Sequence, residues 1–114
     1  MLNERLSAAK AVAAELLPTE TELESAIVHA SKLVIAVIEG RRSAKLPITI
    51  GQDSLGHIAQ ATARLIEARA EIGAAHLTLR ETQINIGLRA TSFGDLWECP
   101  DKKAQLIAHA ANAA

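Results

Sequence analysis

Apolar residues recur along this chain at steps of three and four, the period of a helix with one covered face. Leu2, Leu6, Ala9, Ala13 and Leu16 follow that step and predict a first helix over residues 3–17. Pro18 is expected to stop it, because a proline inside a helix removes a hydrogen bond and clashes with the preceding turn. Thr19 and Glu22, three apart, form a capping-box pattern that starts a second helix. Its stripe is Leu23, Ile27, Ala30, Val34 and Val37, flanked by Ala26, Leu33 and Ile38, with Val28 and Ile35 on another side. A helix this apolar is expected to be covered on more than one face. Gly40 is its expected C-terminal residue.

Residues 41–52 read as a connection. Leu46-Pro47-Ile48-Thr49-Ile50 alternates apolar positions and allows a short extended piece, although Pro47 argues against a central strand. Thr49 or Asp53 is placed to cap the next helix.

That third helix, over residues 54–86, contains no proline and carries a seven-residue repeat. Ile58, Leu65, Ile72, Leu79 and Ile86 occupy one heptad position, and Ala61, Ala68, Ala75 and Thr82 another. A second apolar seam runs through Ala59, Ala63, Ile66, Ala70, Gly73, Leu77 and Ile84, interrupted by Arg80. At about 1.5 Å per residue the helix would be roughly 50 Å long, against about 30 Å for the second. Beyond Gly87 the periodicity dissolves. Pro100 and Asp101 suit the start of a short fourth helix with Ala104, Ile107, Ala108 and Ala111 on one face. The expectation is a single all-α domain over residues 1–114, an antiparallel helical bundle with a long central third helix.

Composition supports a packed helical domain. The chain has 114 residues, is 49% hydrophobic and 22% charged, and has a net charge of -1, which argues against disorder. Alanine supplies about a fifth of the residues, well above its usual share, and aromatics only 2%. Close helix packing suits such a composition, whereas single-stranded nucleic-acid binders need stacking platforms. No apolar run is long enough to span a bilayer. Met1-Leu2-Asn3-Glu4-Arg5 lacks the layout of a signal peptide, so the expected setting is cytoplasmic with no membrane partner.

Candidate chemistry is sparse. His29, His57, His76 and His109 are dispersed, without Cys-x-x-Cys or His-Glu-x-x-His, so no metal site is expected. Glu24/His29 and Glu71/His76 are five apart, not the three of carboxylate-bridged di-iron bundles. Cys99 is flanked by Glu98 and Asp101, and neighbouring negative charge raises a thiol pKa. Gly-rich phosphate loops and nucleophile elbows are missing from the sequence. The chain is therefore expected to be neither an enzyme nor dependent on a cofactor.

His29-Ala30-Ser31-Lys32 places a histidine and a lysine three apart in mid-helix. This step resembles the His-x-x-Lys of histidine phosphotransfer domains, and the resemblance would imply that His29 accepts phosphoryl while Lys32 screens its charge. It spans two residues, and the family's following glycine is Leu33 here. A further alternative is a nucleic-acid-associated regulator. Residues 40–52 carry Arg41, Arg42 and Lys45 and no acid, although a near-neutral chain disfavours general nucleic-acid binding.

The positive signal is surface. Two apolar seams on one helix exceed what three shorter helices of the same chain can cover. Homodimerisation is expected through Ile58, Ala61, Leu65, Ala68, Ile72, Ala75 and Leu79, with the alanines permitting close approach. Phe93, Leu96 and Trp97 are expected to seal one end of the bundle, with contact to an unidentified protein partner as the alternative. The function this supports is a small self-associating interaction or regulatory module.

Overall fold

The structure, a computed structural model, describes residues 2–88. They form two α-helices, α1 (Leu2–Ser43) and α2 (Gln52–Asn85), and no strand occurs among the described residues. The all-helical expectation therefore holds, in fewer and longer pieces. The expected first and second helices are one element, and the expected long third helix is α2. A bundle with a third helix is not seen among the described residues, and the expected fourth helix lies outside them.

Pro18 does not end α1; it sits inside it. Its missing N–H deprives the exposed Ala14 of a helical partner for its carbonyl. What carries the helix across is register. The half-covered positions Leu6, Ala9, Ala13 and Leu16 continue as Glu20, Leu23, Ile27, Ala30, Val34 and Val37 without a break in the three-four step. Half-burial of such positions on either side of the proline favours helix at both, and helix stability comes mostly from a covered face.

Gly40 does not end the helix either. α1 runs on to Ser43 and closes in a Schellman motif. The Leu46 N–H donates to the Arg41 carbonyl at 3.1 Å, and the Lys45 N–H to the Arg42 carbonyl at 3.1 Å. The left-handed position falls on Lys45, with φ 55°, where glycine is usual. Arg41 adds a bond from Nη1 to the Leu46 carbonyl at 2.9 Å. Pro47 follows and prevents further helix.

The connection is turned, not extended. The Ile50 N–H donates to the Pro47 carbonyl at 3.0 Å, and the Gln52 N–H to the Thr49 carbonyl at 3.3 Å. Gly51, rather than Thr49 or Asp53, holds the N-cap position of α2, since its carbonyl accepts from the Leu55 N–H at 2.9 Å. Its φ of +87°, and a Val37 methyl that would lie 3.1 Å from an added Cβ, explain why the residue is glycine. At the other end α2 closes in a second Schellman motif around Gly87, with φ 91°. There the Leu88 N–H donates to the Gln83 carbonyl and the Gly87 N–H to the Ile84 carbonyl, each at 3.0 Å.

The chain packs as two units. One, Thr19–Ile72, is a helical hairpin made of the later part of α1, the turn and the first part of α2. The other joins the described residues up to Pro18 with those from Gly73 to Leu88. In that unit Arg5 Nη1 donates to the Ile86 carbonyl at 3.1 Å, satisfying an acceptor near the end of α2.

Candidate interaction surfaces

In the hairpin unit one row from each helix is half-buried. On α1 it comprises Glu20, Leu23, Ala26, Ile27, Ala30, Val34, Val37 and Arg41. On α2 it comprises Leu55, Ile58, Thr62, Leu65, Ala68 and Ile72. The heptad of α2 is thus already in use within the chain, and every member of it remains partly open. The Thr62 hydroxyl turns back on its own helix, donating to the Ile58 carbonyl at 2.8 Å.

An ion pair marks the register. Arg69 donates from Nη2 and Nε to one carboxylate oxygen of Glu24, at 3.0 and 3.3 Å. Both side chains are more than half exposed, so the pair orients the helices and contributes less than about 1 kcal/mol.

The seven expected interface residues divide between the units. Ile58, Leu65, Ala68 and Ile72 are half-buried in the hairpin unit, and Ala61 beside them is exposed. In the other unit Ala75 is half-buried and Leu79 is exposed. At about 100° per residue, Leu33 of α1 turns to the same side of the hairpin as Ala61 and Ala68. Val28, Ile35 and Ile38 turn to the opposite side with Ile66. Both sides are open: Leu33 is 51% exposed, and Val28, Ile35 and Ile66 are 51%, 59% and 53% exposed. No side chain of α1 or α2 is buried. Among the described residues Leu88 alone is, at 6%.

The turn is the feature that sequence reasoning passed over. Leu46, Ile48 and Ile50 are all exposed there, Ile48 at 80%. Arg41 is half-buried against the turn, while Arg42 and Lys45 are exposed. Arg42 pairs with Glu39 at 3.4 Å. Proline followed by alternating isoleucines, inside the one acid-free basic stretch, is the sequence signal that could have marked this place.

His29 lies on an exposed part of α1 and Lys32 beside it is exposed as well. His57 is exposed and His76 half-buried. Among the described residues no three His, Cys, Asp or Glu side chains gather to hold a metal ion. Neither helix is long and apolar enough to cross a membrane over the described residues. Phe93, Leu96, Trp97, Cys99 and His109 lie outside the described residues. Compared with known proteins, the chain matches no protein-family model, no curated protein and no solved structure.

Proposed function

We propose that the chain is a non-enzymatic self-association module, in which hairpins of two copies pair into an antiparallel helical bundle. One observation carries the reading: α1 and α2 contain no buried side chain, although their facing rows are largely Leu, Ile and Val. A helical hairpin is a single layer, and a domain core needs at least two layers packed together. A second copy would give the described hairpin a second layer through a two-fold axis, where one face meets itself. The face favoured is the one bearing Ala61 and Ala68, because small side chains let backbones approach while Ile58, Leu65 and Ile72 complete their burial. As an interaction or regulatory module, such a dimer presents both hairpin turns to further partners.

Ala61→Arg tests the face without disturbing the hairpin, since Ala61 is exposed. Light scattering should read a dimer for the parent chain and a monomer for the variant, because a guanidinium would have to be desolvated at the interface. A variant that stays dimeric places the interface elsewhere. Acid-labile phosphorylation that disappears in His29→Gln would replace the reading with phosphotransfer. Strong nucleic-acid binding that falls steeply with salt would replace it with the Arg41, Arg42 and Lys45 alternative.

A further inference from the structure

The turn between α1 and α2 carries the most exposed large apolar side chain among the described residues, Ile48, with Leu46 and Ile50 on either side of it. These residues do not dangle. The Schellman bond to Arg41, the Arg41 guanidinium on the Leu46 carbonyl and the Ile50-to-Pro47 bond fix the backbone that displays them. Around the base of the turn stand Arg41, Arg42 and Lys45, and no acid occurs between Glu39 and Asp53. Glu39 engages Arg42 only at 3.4 Å between exposed side chains, a pair easily exchanged for another anion.

We propose that this turn docks on an anionic lipid surface, with Ile48 entering the boundary between headgroups and acyl chains and the cations meeting lipid phosphates. An apolar tip with a cationic collar matches the two layers of a membrane interface in their order. Long basic side chains can lay their stems along the apolar zone and keep their charge at headgroup level. A nucleic acid would satisfy the cations and leave the isoleucines in water. A second copy of the turn would cover the isoleucines and bring like charges together. The expectation of no membrane partner rested on the lack of a spanning segment, and a docking turn requires none.

The test is co-sedimentation of the full chain with vesicles of equal parts phosphatidylglycerol and phosphatidylcholine, and with pure phosphatidylcholine vesicles. Binding should be at least tenfold tighter to the anionic vesicles, since each cation near such a surface adds about fivefold. Ile48→Asp should weaken it at least tenfold, and Lys45→Asn about fivefold. Asparagine tolerates the left-handed backbone, and Ile48 is exposed, so far-UV circular dichroism should be unchanged in both variants. No binding to anionic vesicles, equal binding to the two vesicle types, or full binding by both variants overturns the proposal. So does a turn that captures duplex DNA while ignoring anionic vesicles.

Discussion

Gly40 and Gly51 lie on either side of the same turn, and an added methyl group should act on them in opposite senses. Gly40 is inside α1 with no positive φ, and nothing lies within 4 Å of an added Cβ. Gly40→Ala there should gain the full helix-propensity difference, about 0.8–1 kcal/mol. Gly51 has φ +87° and would bring its Cβ to 3.1 Å from a methyl of the half-buried Val37. A left-handed backbone costs an L-residue about 1–2 kcal/mol. Reduced freedom of the unfolded chain returns about 0.4–1 kcal/mol of that, and the displacement of Val37 adds to the cost. Gly51→Ala should therefore destabilise by about 1–2 kcal/mol. The two variants would then differ by about 2–3 kcal/mol, or on the order of 10 °C in melting temperature. Thermal and urea unfolding followed by circular dichroism would measure this, at one fixed protein concentration because association shifts apparent stability. A destabilised Gly40→Ala would mean that the helix ends at Gly40. A neutral Gly51→Ala would refute the turn geometry.

Pro18→Ala should stabilise α1 by about 1–3 kcal/mol, because it restores a hydrogen bond and removes a clash within the helix; unfolding at an unchanged urea midpoint would mean the helix is broken there. Lys45→Gly should raise stability by about 0.5–1 kcal/mol, the relief of a left-handed lysine less the greater freedom of glycine in the unfolded chain. A lower melting temperature for that variant would contradict the Schellman ending of α1.

The helical class and α2 were legible because both rest on period. The heptad from Ile58 is sustained over the whole element, and its expected limits, 54–86, lie within two residues of Gln52–Asn85. Gly87 marks the end of the pattern and holds the left-handed position that ends α2. The division of α1 was misread because Pro18, Gly40 and the Thr19–Glu22 pattern are strong local signals, and local signals yield to packing. The corrective was present in the sequence: Leu16 to Glu20 to Leu23 continues the three-four step across the proline. Glu20 disguises it by placing an acid at a covered position. The cap on α2 was misjudged for a similar reason. Thr49 and Asp53 offer side-chain acceptors, but the turn needs a left-handed residue close to Val37, and only contact with α1 reveals that. The self-association face was read from seam length and the spacing of its alanines. Two of its members, Leu79 and Ala61, are exposed, and the rest are half-buried. The exposed turn was missed because alternating isoleucines suggested an extended piece with one covered side.

If a second copy completes the core that α1 and α2 leave open, the chain is a dimer in solution. Sedimentation equilibrium of the full chain over a wide concentration range tests it most directly. A dimer requires a mass of twice the 12.1 kDa chain, falling toward the monomer only on extreme dilution. A mass of 12.1 kDa at every concentration, from a chain that still unfolds cooperatively, would contradict it.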